Sequence, residues 1–250
     1  MYLGRIVAIG MTKSGRAGAF YRVSSRSFPN RMAVLQGDKV AILPRPGFEG
    51  DLAKNPYISY NCVRIAGEYA VVSNGSQTDP IAEKIAAGMP VRDAFTLGLL
   101  ALDYEKDSLD TPRIVAAVSR LRPVGYLGII RKDAVLVREF ELKPGELRYI
   151  STYECNKPAD DQMTSDFDAA CEECCVNYVI DGGIFAEFSN PVTSAAALAT
   201  ADGSEFALGV KVVEKEFPPP KKRGAGIFPL RLFCCLSPAR QTVAVPRLSP

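Results

Sequence analysis

Residues Tyr21 to Arg31 read Tyr-Arg-Val-Ser-Ser-Arg-Ser-Phe-Pro-Asn-Arg, which puts Arg22, Arg26 and Arg31, three serines (Ser24 and Ser27 among them) and Asn30 close together. Arginine offers a planar fork of donors that fits phosphate or carboxylate oxygens, and serine hydroxyls and loop amides can fill the remaining lone pairs. Pro29 interrupts any helix or continuous strand, so the stretch reads as an anion-holding loop leaving the end of a strand. The plainer reading is a solvated turn. Further along, Tyr57 and Tyr60 are flanked by Asn55 and Asn61, where two phenols would ordinarily be core or rim. The segment Asp103-Tyr-Glu-Lys-Asp107 follows an apolar helix and is either a solvated cap or a place where Glu105, held beside apolar walls, has a raised pKa suited to acid–base work.

Two more candidates depend on helix ends. Ser73-Asn-Gly-Ser-Gln-Thr-Asp79 leads into a helix whose amides would face a phosphate, although capping explains it equally and the Gly-Lys-Ser/Thr ending of a phosphate loop is missing. Arg113 lies in the first turn of a helix predicted over Ile114–Leu121, where a cation opposes the helix dipole and an anionic partner would relieve the conflict. Cys171, Cys174 and Cys175 share one face of a helix predicted over 164–181. Zinc or an iron–sulfur cluster would need a fourth ligand, of which Cys155 is the nearest, and with no second paired motif no metal site is assigned.

The chain contains no histidine. That excludes Ser-His-Asp and Cys-His nucleophile systems, imidazole acid–base catalysis and histidine metal sites together. Its 250 residues suffice for one large core or two small ones, and 47% hydrophobic with 23% charged residues is ordinary globular composition. Seven cysteines at irregular spacing argue against a secreted disulfide framework. The first residues lack a basic and then apolar leader, and Ala94–Leu102, the longest uncharged apolar run, is about half a membrane span; the expectation is a cytoplasmic protein with no membrane partner. From Lys211 onward eight Lys or Arg face two Glu, so the net +2 hides a mildly acidic body over residues 1–210 at −4. Nucleic-acid attraction is therefore not a property of the body.

The elements that must position these residues are mostly short strands. Alternation predicts Leu3–Ile9 and Ala19–Ser24 as a hairpin around Gly10–Gly18, then Lys39–Leu43, Cys62–Ile65 and Tyr69–Ser73, the hairpin Val124–Ile130 with Ala134–Phe140, and Leu147–Tyr153. Helices are predicted from about Thr78 to Gly88, over Val91–Leu102 with most sides buried, over Ile114–Leu121, over Thr164–Asp181 and, short and small-residued, over Pro191–Ala199. The chain divides into two domains of unequal character: a catalytic body over 1–210 and a basic, Pro-rich, poorly ordered tail over 211–250.

Met-Tyr-Leu-Gly-Arg at 1–5, Tyr21–Arg31, Asn55–Ile65, Val71–Asp79, Leu100–Val118, Ser151–Glu154 and Ser189–Leu198, in unbroken order, resemble the archaeal-type IMP cyclohydrolase family. The resemblance covers about the first 200 residues and departs over 155–178 and after about 205. It implies an α+β fold, a four-layer α-β-β-α sandwich similar to the N-terminal-nucleophile hydrolases. Tyr2 stands where a processed nucleophile would be Cys, Ser or Thr, so autoprocessing is not expected.

The implied reaction closes 5-formamido-1-(5-phospho-ribosyl)imidazole-4-carboxamide to IMP with loss of water, the last step of purine synthesis. It requires no cofactor, metal or covalent nucleophile. The implied partner is the ribonucleotide, with a homo-oligomer left open. Within the resemblance, Glu105 transfers the proton, Tyr60 donates to the developing oxyanion and Arg31 polarises the formyl or carboxamide oxygen. Arg22, Ser24, Arg26, Ser27, Asn30, Asn61, Asn74, Tyr104 and Arg113 form the substrate-binding pool, with the two asparagines Asn61 and Asn74 orienting the carboxamide. The competing readings are an N-terminal-nucleophile amidase and a non-enzymatic nucleotide or RNA binder.

Overall fold

The computed structural model describes residues 1–214. The segment from 215 to 250, most of the expected tail, lies outside the described residues. In chain order the elements are β1 (Ile6–Met11), β2 (Ala17–Ser24), β3 (Arg31–Gln36), β4 (Lys39–Pro44), α1 (Asp51–Lys54), β5 (Tyr60–Ala66), β6 (Tyr69–Ser73), α2 (Thr78–Ala86) and α3 (Val91–Leu102). They continue with β7 (Arg113–Ser119), β8 (Val124–Arg131), β9 (Ala134–Glu141), β10 (Leu147–Ser151), β11 (Met163–Thr164), α4 (Glu172–Asp181), β12 (Pro191–Ala199) and β13 (Phe206–Val212).

These strands form two antiparallel sheets, ordered β11-β10-β1-β2-β12-β13 and β3-β4-β5-β6-β7-β8-β9. Alternation along each strand decides what lies between the sheets. In β2, Tyr21 and Val23 point into an apolar core shared with Ile42, Tyr60, Val72 and Ile114 of the second sheet. Phe20, from the opposite face of β2, packs with Cys175, Val176 and Val179 of α4. The outer face of the second sheet receives Ile81 and Ile85 of α2 and Phe95 and Leu99 of α3. The fold is thus mixed α+β, with two antiparallel sheets and few helices.

Three of the helices expected from sequence are corrected by the structure. Ile114–Leu121 is not a helix: Arg113–Ser119 is strand β7, every residue of which is buried. Pro191–Ala199 is likewise strand β12, bonded on both edges to β2 and β13. Strands covered on both faces lose the alternation that marks a half-exposed strand, and a run of small apolar residues then resembles a helix. The predicted helix over 164–181 begins only at Glu172, with Cys171 as its cap. The helix Val91–Leu102 has the expected bounds, but it buries one face only, leaving Leu97 and Leu100 about half exposed at 48% and 54%.

One end of the paired sheets gathers strand termini: the starts of β1, β3, β5 and β7 and the ends of β2 and β10 all supply residues to it. Ser25–Asn30 carries the chain from β2 in the first sheet to β3 in the second. The expected anion loop is therefore shorter than Tyr21–Arg31, since Tyr21 to Ser24 are strand.

Candidate active site

At that end of the sheets lies a hollow of about 200 Å3, lined among others by Arg5, Ser24, Arg26, Ser27, Arg31 and Glu105. Glu105 enters from the loop between α3 and β7. The loop is pinned by its own polar groups: Glu105 N–H donates to Thr111 O at 2.8 Å, and the Asp107 carboxylate accepts from Thr111 N–H at 3.0 Å and from its hydroxyl at 2.7 Å. Asp103 (φ 56°, ψ −177°) and Asp110 (φ 47°) bracket it in conformations that L-residues rarely adopt, the sort of local cost that clusters at functional sites.

Arg5 grips Glu105 with both ends of its fork, Nη1 to Oε1 at 3.2 Å and Nη2 to Oε2 at 3.0 Å. The carboxylate is 1% exposed and the guanidinium's residue 9%. Burial raises the Glu105 pKa above the ordinary glutamate value and Arg5 opposes that rise without cancelling it. Burial alone would lower Arg5, but Glu105, and after it the Tyr60 and Tyr21 phenols, hold it above its ordinary value. The wall beside Glu105 is therefore cationic, whereas the sequence suggested apolar walls. Gly4 lets the chain reach this position: at φ +73° a side chain there would be strained, and its Cβ would come within 2.2 Å of Thr152 Oγ1.

Arg31, at the first position of β3, is buried and donates from Nε to Phe28 O at 3.1 Å. Its Nη1 is buried with no partner among the described residues, as is Oδ1 of the neighbouring Asn30. Buried donors are almost always satisfied, and this guanidinium nitrogen stands unpaired beside the hollow. Tyr60 lies behind this wall, 7% exposed, its hydroxyl 2.6 Å from that of Tyr21. Burial raises both phenols' pKa values, against the opposing charges of Arg5 and Arg31. Both stay neutral near pH 7 and keep a proton to donate.

The profile of a family described as IMP cyclohydrolase-like protein matches residues 2–203. The chain belongs to that family. It is 50% identical over 197 residues to a protein named IMP cyclohydrolase from Methanosphaera stadtmanae, covering 79% of this chain and 94% of the relative. Against the one so named from Methanocella arvoryzae the figures are 51% over 211 residues, with 84% and 98% covered. Against one from Methanococcus maripaludis they are 43% over 208 residues, with 83% and 99% covered.

Of the residues singled out by sequence, the hollow brings together Ser24, Arg26, Ser27, Arg31 and Glu105. Arg26 and Ser27 are exposed at its mouth, with the Arg26 guanidinium 4.0 Å from the Tyr2 ring centre. Arg113 sits one layer back, donating from Nη1 to Gln77 Oε1 at 2.9 Å, close enough for Glu105 to oppose the lowering of its pKa by burial. It is there as a strand residue, so the helix-dipole conflict expected for it does not arise.

Asn30, Tyr60 and Arg113 do not line the hollow, and four further residues do not line it either. Arg22 points to the opposite face of β2, donating to the carbonyls of Val179, Ile180, Phe185 and Phe188 and to Ser24 Oγ; burial pulls its pKa down to about 10. Asn61 is bonded to both Asp79 oxygens at 3.0 Å, because neighbours on a strand face opposite ways and Tyr60 takes the inward one. Asn74 is fully buried and clamps β6 to β7, donating to Pro112 O at 2.9 Å and accepting from Ile114 N–H at 2.8 Å. Tyr104 is half-buried with the Lys106 ammonium 3.4 Å from its ring centre.

Sequence reasoning passed over Arg5, Tyr21 and Tyr153. The matched segments 1–5 and 151–154 contained two of them, and chemically unremarkable stretches that recur in a family are the signal that would have found them. Two roomier depressions, about 880 Å3 over the α2–α3 junction and about 480 Å3 near Gly37 and Gly67, are lined by no buried charged side chain. Among the described residues no group of His, Cys, Asp and Glu is arranged to hold a metal ion, and no helix is long and apolar enough to cross a membrane.

Proposed function

We propose that this chain is an IMP cyclohydrolase: it closes 5-formamido-1-(5-phospho-ribosyl)imidazole-4-carboxamide to IMP, releasing water. Family membership supports the reaction, and the observation that carries the site is the unpaired Arg31 Nη1 sharing a hollow with a buried, arginine-held carboxylate. The fold reading that goes with it is a four-layer α-β-β-α sandwich like that of the N-terminal-nucleophile hydrolases, without autoprocessing. Supporting it are α4 on the outer face of one sheet and α2 and α3 on the outer face of the other. Tyr2, stacked 6.0 Å from the Tyr153 ring, serves as an aromatic wall.

In the reaction the carboxamide nitrogen attacks the formyl carbon on the same ring, forming a C–N bond and a carbinolamine, which then loses its hydroxyl together with the proton of the former formamido nitrogen as water and leaves a C=N bond. Both groups are already joined, so the protein's work is to fix their rotation, stabilise charge on the formyl oxygen and move protons. The Glu105 carboxylate takes the carboxamide N–H proton as the bond forms and passes it to the formyl oxygen, giving the hydroxyl; in the second step it carries the formamido N–H proton to the departing hydroxyl. Arg5 occupies one lone pair on each Glu105 oxygen and so fixes the direction of the others. Arg31 Nη1 donates to the formyl oxygen. Tyr60, hydrogen-bonded with Tyr21 behind the Arg31 wall, stays outside the hollow's lining and steadies the wall rather than touching the formyl oxygen.

The hollow is smaller than the ~300–1,000 Å3 of most ligand pockets, which suits it to the base end of the ribotide. The phosphate then lies at the mouth against Arg26 and Ser27. Mixing the chain with the ribotide and following absorbance tests the reading: ring closure at a rate proportional to protein is expected, and binding without a spectral change would overturn it in favour of a non-enzymatic binder.

A further inference from the structure

The hollow uses none of the cysteines, yet two of them are placed together elsewhere. Cys171 caps α4: its backbone is extended and its Sγ accepts a hydrogen bond from Cys174 N–H at 3.3 Å. The two sulfurs are 2.8 Å apart. Cys174 is exposed and Cys171 partly so, whereas the adjacent Cys175 is buried against Phe20 and Val179. The pattern is Cys-Glu-Glu-Cys at the head of a ten-residue helix, and the structure fixes which two of the three neighbouring thiols face one another.

We propose that Cys171 and Cys174 are a thiol–disulfide exchange site, two thiols on one solvent-facing helical turn that close into an intramolecular disulfide at the expense of an external disulfide of a low-molecular-weight thiol. The Cys174 thiolate attacks one sulfur of the external disulfide, forming a mixed disulfide and expelling one thiolate. Cys171 then attacks Cys174 Sγ and expels the second. Two S–H bonds are lost and one S–S bond is formed; two electrons and two protons pass to the external disulfide, which leaves as two thiols.

Geometry assigns the order of events. Cys174 is the more accessible sulfur, and Cys171, one helical turn away, is in reach to resolve the mixed disulfide. The environment agrees: the hydrogen bond from the Cys171 thiol, with the backbone of Cys171 and Ala170 adding to it, holds Cys174 below the ordinary thiol value, while the bond to Cys174 holds Cys171 above it. Cys175 takes no part, since burial pushes its thiol up to about 12. Arg16 steadies the approach to the turn, donating to Ala170 O at 2.8 Å and to Ala199 O at 2.7 Å.

The test uses the full chain in glutathione buffers graded from reducing to oxidising, quenched in acid, alkylated and peptide-mapped by mass. The expected result is that Cys171 and Cys174 lose alkylation together, their peptide becoming lighter by two hydrogens, and that dithiothreitol restores both. Cys171→Ser keeps a strong helix cap and should accumulate glutathione on Cys174, while Cys175→Ser should close as the parent does. Both thiols remaining alkylatable in the most oxidising buffer would overturn the proposal. So would a bond from either to Cys175, Cys155 or a cysteine after residue 214, or a mixed disulfide that persists in the parent chain as it does in Cys171→Ser.

Discussion

Glu105 is pulled one way by burial and the other by Arg5, and the net rise in its pKa predicts how turnover responds to pH. A base must be ionised to accept a proton, so the rate falls as pH drops through the raised value. The acid limb of the kcat/KM profile, which reports the free enzyme, should therefore lie above the ordinary value of 4.5. Glu105→Gln should remove that limb and lower kcat by about 100-fold or more while KM changes little. Arg31→Ala should cost about 2 kcal/mol or more in kcat/KM if Nη1 meets the reacting oxygen. Arg5→Met strands a buried carboxylate and should cost about 3–5 kcal/mol of stability in urea unfolding. Of these three, Glu105 and Arg31 were legible in the sequence because each sits in a polar, turn-like cluster of its own. Arg5 was not, since its partner is 100 residues away and nothing local records a pairing across that separation.

At the scale of elements, β2 shows how a strand divides its side chains between two jobs. Tyr21 and Val23 face the other sheet, while Arg22 ties β2 to the C-terminal end of α4 and to the turn after it. Arg22→Met leaves those carbonyls without a donor and should destabilise the fold by about 3 kcal/mol or more. The KM of the protein that remains folded should stay near the parent's, whereas a phosphate-binding arginine would raise it. The same division explains the pool of binding residues read from sequence. Dense arginines and asparagines announced polar chemistry, but composition does not say which face of a strand a residue takes. Hairpins such as β8–β9 were legible from alternation around Arg131–Asp133. The strands β7 and β12 were not, because burial on both sides erases the pattern that distinguishes strand from helix.

For the molecule as a whole, the family match stops at residue 203 and the last described strand at Val212. A chain ending at Glu214 should close the ribotide with kcat and KM within about twofold of the full chain, read in the same absorbance assay. The site itself is assembled from segments spread between Tyr2 and Tyr153, so no fragment of the body carries it alone. Ser25–Asn30 has a second role in this arrangement, because it is one of two straps among the described residues, with the link from β9 to β10, by which the polypeptide passes between the sheets. A nucleotide clasped there braces both halves at their shared rim, and saturating IMP should slow amide hydrogen exchange in β2 and β3 in step.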